Sequence, residues 1–140
     1  MSPANHKIIG ETKLTDIFGR WPSFHDGYID EIHFEPHSQN RALDIVCRIL
    51  EMTDEKDAGG YFILKNHTKT RIRFHQIETL EMKAIYAGVI IFEFIIEPVM
   101  LRFSKTNGWA LTIESSTDFQ LKLQCHAIEV IEASPDLNPR

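Results

Sequence analysis

Residues 101–125 read Leu-Arg-Phe-Ser-Lys-Thr-Asn-Gly-Trp-Ala-Leu-Thr-Ile-Glu-Ser-Ser-Thr-Asp-Phe-Gln-Leu-Lys-Leu-Gln-Cys, alternating runs separated by turn-forming residues. Trp109, Leu111 and Ile113 alternate with Ala110, Thr112 and Glu114, and Phe119, Leu121, Leu123 and Cys125 alternate with Gln120, Lys122 and Gln124. A strand turns successive side chains to opposite faces, so each run is a half-buried strand. A two-residue Asn107-Gly108 turn would set Phe103 opposite Thr112 and mix apolar with polar residues on both faces. A three-residue loop, Thr106-Asn107-Gly108 with Gly108 left-handed, instead puts Leu101 and Phe103 on the face of Trp109, Leu111 and Ile113, and that register is predicted. Continuing it sets Ile113 opposite Phe119 and Leu111 opposite Leu121. Trp109 then faces the core, with a place on the rim of a partner surface as its alternative.

The same period extends outward. Leu43, Ile45, Cys47 and Ile49 alternate with Asp44, Val46 and Arg48. Ile90, Phe92, Phe94 and Ile96 form one apolar face, and Ile91 and Ile95 make the other only partly polar, which predicts a strand central in its sheet. Further strands are expected over 28–35, 61–65 and 70–75. A helix over 13–18 should end before Pro22, which fixes its own φ and pushes Trp21 out of the helical region. Short strands about ten residues apart predict a mainly β fold of antiparallel sheets, meander or sandwich-like, with one short N-terminal helix. With no repeat, low-complexity block or long linker, the chain reads as one domain over 1–140, its core at about 12–132 and its termini flexible.

The 140 residues suit one core, burying roughly 68–70% of the unfolded surface. A hydrophobic content of 43% beside 25% charged residues is that of an ordinary globular chain, and its apolar runs are too short to span a bilayer. The N-terminus lacks a secretory stretch, which predicts a cytoplasmic protein with Cys47 and Cys125 as free thiols. A net charge of −5 disfavours nucleic acid as partner and suits a basic protein.

Residues 17–29 crowd Ser23, His25 and Asp26 among bulky apolar side chains at the turn that Pro22 forces. Ser23 and Asp26 can bond nearby backbone amides while Trp21 and Phe24 bury. His25-Asp26 also suggests a metal-dependent hydrolase, but such sites need ligands from several long helices. His33 and His37 stand too far apart in a strand, Cys125 and His126 point to opposite faces, and Ser23, His25 and Asp26 lack the spacing of a hydrolytic relay. No phosphate-binding glycine motif exists, so no cofactor is expected. Lys69, Arg71, Arg73 and His75 share one strand face above Thr70, Ile72 and Phe74. They form either a solvated stripe, with Glu93 and Glu97 across the sheet, or a docking surface. The acidic loop Asp54, Glu55, Lys56, Asp57, Ala58 ends at Gly59-Gly60 and can steer a basic partner.

The run Trp21, Pro22, Ser23, Phe24, His25, Asp26 after Ile17-Phe18-Gly19 resembles the signature of immunity protein 50, a family of bacterial immunity proteins found beside polymorphic toxins. The likeness stops at Gly27 and Tyr28, where the family pattern continues with alanine and an acidic residue. The resemblance implies a cytoplasmic, non-catalytic chain, without cofactor or metal, that neutralises a cognate toxin by occlusion. The expected contact regions are the turn Trp21 to Asp26, the loop with Asp54, Glu55 and Asp57, and the stripe with Lys69, Arg71 and Arg73. A small metal-dependent hydrolase using His25-Asp26 and a general β-rich binding module are the alternatives.

Overall fold

Leu43, Ile45, Cys47 and Ile49 each expose 1% or less of their surface, and their alternation carries straight into a sheet wall. The computed structural model describes residues 7–36, 39–84 and 89–137. Among them run α1 (Thr12–Phe18), β1 (Tyr28–Phe34), β2 (Leu43–Lys56), β3 (Phe62–Lys83), β4 (Val89–Met100), β5 (Asn107–Ser115) and β6 (Gln120–Pro135). The expected mainly β, antiparallel fold with one short N-terminal helix is what the chain adopts. Its sheet curls into a closed barrel in the order β1-β2-β3-β6-β5-β4, so that strands far apart in sequence become neighbours. Closure removes most of the sheet edge that an open meander would leave unpaired.

Length is what closes it. The strands expected over 61–65 and 70–75 are parts of one 22-residue strand, β3, which pairs with β2 along its first half and with β6 from Thr68 onward. A strand this long must bend, and β3 does so where Asn66 and Gln76 take positive φ of 57° and 53° and where its pairing with β6 slips between Ile77 and Thr79. The core inside draws on every strand, with Phe74, Leu111, Phe119 and Val130 essentially inaccessible. Leu14 of α1, also fully buried, joins the barrel core, and Lys13 Nζ donates to the Ile131 carbonyl at 3.1 Å. Gly19 ends the helix in the left-handed region, its N–H returning to the Thr15 carbonyl. At the chain ends Ile9 exchanges backbone hydrogen bonds with Ile128 and Val130, and β6 runs on to Pro135, so regular structure extends beyond residues 12 and 132 on both sides.

Two registers differ from expectation. The β4–β5 hairpin does not turn at Thr106-Asn107-Gly108. Met100 pairs with Asn107 and Val99 with Gly108, so the chain reverses over 102–105, where Lys105 carries the positive φ of 61°. Phe94 and Ile96, rather than Leu101 and Phe103, therefore face Ile113 and Leu111, and Phe103 is left 66% exposed. The cause is long-range. Glu78 of β3 accepts the N–H groups of Phe103 and Ser104 and the ring of His126, which pins the loop to the barrel wall. Across β5 and β6 the pairing is Ile113 with Leu121 and Leu111 with Leu123, two residues from the expected register but with the same face inward.

Nor is β4 central. Among the described residues β1 meets it only at Ile90 and Val89, and a bulge between Ile91 and Glu93 breaks its alternation. Ile91 and Phe94 consequently point inward, whereas Phe92 and Ile95 are 50% and 45% exposed. Pro98, which has no N–H to give, sits in the stretch of β4 that lies beyond its pairing with β1, where a strand tolerates it.

The Glu78 clamp makes a pH prediction. Donors from Ser104 first, with His126 and the Phe103 N–H, outweigh burial and draw its carboxyl down to about 2. A carboxylate depressed in the native state adds stability fully present above its unfolded pKa, and that stability fades as pH falls through the native value. The thermal midpoint of the wild type should exceed that of Glu78→Gln above about pH 4.5, and the gap should shrink toward pH 2. A gap that ignores pH over that window would mean that the carboxylate charge does not hold the loop.

Candidate functional site

The turn over residues 21–26 sits at the weakly paired seam between β1 and β4. Asp26 N–H donates to the Ile91 carbonyl at 2.9 Å and Ile91 N–H to the Gly27 carbonyl at 2.8 Å, so the turn is sewn to β4 where β1 begins. Phe24 is 1% exposed and stacks on Phe94 with ring centroids 4.1 Å apart, and Trp21 leans on Phe24 at 5.7 Å. Phe24 thus buries as expected, whereas Trp21 is only partly buried against it. A Cβ on Gly27 would lie 2.8 Å from the Arg48 carbonyl, so the alanine of the family pattern does not fit here without movement.

Both Phe24 and Asp26 adopt positive φ, 65° and 66°. For an aromatic residue this is a true outlier, held only because its ring is locked in the core. The two reversals lift His25 between them into solvent. Its ring, half exposed, meets the Asp26 carboxylate at 3.2 Å on one side and the Phe92 ring at 5.6 Å on the other. Ser23 Oγ accepts the His25 N–H at 3.3 Å, the short local bond expected of it, whereas the Asp26 carboxylate turns to the imidazole.

Pro22, Ser23 and His25 form a ridge between two concavities. A groove of about 520 Å³ runs along the free side of β4 between Trp21, Phe92 and Ile95, its lining mostly apolar. A smaller one, about 190 Å³, lies toward β2 and is walled by Asp26, Glu51 and Met52. Trp109 is buried in the barrel wall as expected and shows an edge in the larger groove.

The charged stripe alternates as read, with Thr70, Ile72 and Phe74 buried beneath Lys69, Arg71, Arg73 and His75. Its partners are not Glu93 and Glu97, because β3 neighbours β2 and β6 rather than β4. Asp44 takes a two-point contact from Arg73 at 2.7 and 2.9 Å and a third bond from Arg71 at 2.9 Å, while His75 meets Glu129 at 2.9 Å. Burial works to raise the Asp44 carboxyl, but the two guanidinium groups prevail and hold it below the usual carboxylate range. Arg71 and Arg73 are therefore already engaged.

Asp54, Glu55 and Asp57 stand at the far end of the β2–β3 hairpin, away from the turn. Asp57 is partly structural: its Oδ1 accepts the N–H groups of Gly59 and Tyr61 at 2.9 and 3.0 Å. Just beyond it lie exposed apolar residues that the sequence reading did not single out, among them Tyr61 at 75% and Met52 at 52%. Their signal was the unbroken apolar run over 61–64, which does not alternate.

No group of three His, Cys, Asp or Glu residues among the described residues could hold a metal ion. His33 pairs with Glu31 at 2.9 Å, and His37, its expected neighbour in spacing, lies outside the described residues. Cys125 is buried while His126 turns outward to Glu78, as their adjacency in a strand requires. Cys47 and Cys125 are both free and buried, and burial pushes the Cys125 thiol up to about 12 and that of Cys47 higher still, which leaves neither as a nucleophile. No helix among the described residues is long and apolar enough to cross a membrane.

A family model described as Immunity protein 50 matches residues 10–136, all six strands of the barrel together with the turn. No curated protein and no solved structure matches the chain.

Proposed function

Because the chain belongs to the immunity protein 50 family, we propose that it binds one cognate bacterial polymorphic toxin in the cytoplasm and neutralises it by covering it, without chemistry of its own. The observation that supports the turn as part of the contact is its geometry. Two strained residues flank His25 and hold its ring clear of a rigid barrel, over a ridge with a concavity on either side. Strain of this kind persists where surrounding packing enforces it, and it collects at sites of function. A plain corner would be built at lower cost with glycine at 24 and 26.

Occlusion needs no catalytic group. A few desolvated anchors supply most of the affinity of such a complex, and a scaffold already in its bound shape loses little entropy on binding. Carboxylates at Asp26, Glu51 and Glu93 border the ridge against the single cation Arg20, a balance that suits a basic toxin surface, whose approach they would accelerate.

Co-expression tests the reading. The wild-type chain should rescue cells from the toxin encoded beside it and form a complex with that toxin; failure of both ends the proposal. His25→Ala removes a half-exposed ring and should leave the unfolding free energy nearly unchanged, within about 0.5 kcal/mol. It should still weaken the complex on the order of tenfold or more. Undiminished binding by this variant would remove the turn from the contact.

A further inference from the structure

Beyond Ile49 the β2–β3 hairpin leaves the barrel. Residues 43–49 of β2 are mostly buried, but from Met52 through the tip and back to Leu64 every described residue except Thr53 is exposed. Tyr61, Phe62, Ile63 and Leu64 are 75%, 47%, 39% and 40% exposed, and Met52, paired with Leu64, is 52% exposed. Because 62–64 are consecutive in a strand, the uncovered apolar side chains lie on both faces. A two-stranded ribbon alone is marginal in water, and an exposed apolar patch on it marks an interaction surface.

The ribbon is nevertheless well organised. Asp57 N–H donates to the Tyr61 carbonyl at 2.8 Å and Thr53 Oγ1 to the Ile63 carbonyl at 2.8 Å. At its root, Asn66 takes a positive φ and donates to Glu51 at 2.9 Å where the pairing slips, which sets the ribbon at a fixed angle to the barrel.

Resting on the reading of this chain as a toxin-binding protein, we propose that residues 51–65 form an arm whose Met52, Tyr61, Phe62 and Leu64 side chains seat in an apolar recess on a basic protein, the toxin. Charge selects this occupant. Glu51, Asp54, Glu55 and Asp57 flank the apolar side chains against only Lys56 and Lys65. A second copy would bring these carboxylates against their like, and an anionic lipid surface would repel them, whereas a basic protein surface pairs with them. Methionine and aromatic residues are the types that interface centres favour, and a ribbon already ordered loses little freedom on docking.

The test is calorimetric titration of the purified toxin domain encoded beside the chain. The double variant Phe62→Ser, Leu64→Ser should bind on the order of 100-fold more weakly with its thermal midpoint retained. Phe103→Ser, at a more exposed side chain on another loop, should bind within about threefold of wild type. Asp54→Asn with Glu55→Gln should flatten the salt dependence of binding. Wild-type affinity in the double variant, while the wild-type chain still protects cells, overturns the arm and leaves the immunity reading standing. A wild-type chain that neither binds nor protects sinks both. Self-association, or co-sedimentation with phosphatidylglycerol vesicles, that the double variant abolishes would also overturn the proposal by giving the arm to another occupant.

Discussion

Phe24→Ala should lower the unfolding free energy by about 3–5 kcal/mol, the cost of emptying an aromatic site in a packed core. The ring is 1% exposed and stacks on Phe94 at 4.1 Å beneath the weakly paired seam, so no neighbouring strand is positioned to fill the void. Alanine brings no relief of strain, because the backbone at 24 stays at φ 65° and a Cβ remains. Phe24→Gly separates the two effects: it loses the same ring but frees the backbone, and should be about 1 kcal/mol more stable than Phe24→Ala. Chemical denaturation of the three proteins measures both differences. A Phe24→Ala cost below about 1 kcal/mol would show that the ring is not what holds the turn. At temperatures where the alanine variant remains folded, His25 should no longer be presented, and protection against the toxin should fall with it.

Gly108→Ala should cost about 3 kcal/mol or more, at the upper end of overpacking effects. A Cβ there would meet the Cys125 carbonyl and Leu101 Cγ, each at 2.5 Å, and Leu101 is fully buried across it. One of these contacts is backbone in the middle of β6, which cannot step aside. Leu101→Ala on its own should cost about 2–5 kcal/mol, and the double variant should cost less than the sum because the removed leucine was half of the clash. Gly108→Asn decides between two roles. A glycine needed for left-handed backbone tolerates asparagine, whereas one needed for close approach does not. Asparagine should therefore be at least as damaging as alanine, and a well-tolerated Gly108→Asn would restore the turn at Thr106-Asn107-Gly108.

The hairpin shows how far local rules reach. Asn107-Gly108 is a strong turn signal, yet the chain reverses before it, over 102–105, because Glu78 offers its carboxylate to Phe103 and Ser104 from another strand. Nothing within residues 101–113 carries that information. Pro98 did carry a local message, that β4 runs on past its pairing with β1 among the described residues, but the apolar run around it argued for a central strand and obscured the proline. For the candidate site, the six residues from Trp21 to Asp26 were legible as a forced turn over a buried Phe24. The groove beside them was not, since Phe92 and Ile95 reach it through a bulge that alternation does not foresee.

What the sequence determined by itself is what depends on near neighbours along the chain. Period-two alternation specified the strands, Pro22 and Gly19 the end of the helix, and the crowding over residues 21–26 the turn and its family resemblance. Tertiary structure alone decided which strands meet: the closure of β1 on β4, the bend that makes one strand of 62–83, and the pairing of Arg71 and Arg73 with Asp44 rather than with Glu93 or Glu97. It also left the β2–β3 ribbon uncovered. Alternation reports that a side chain has a buried face to fill; it carries no information on which distant strand, loop or separate molecule fills it.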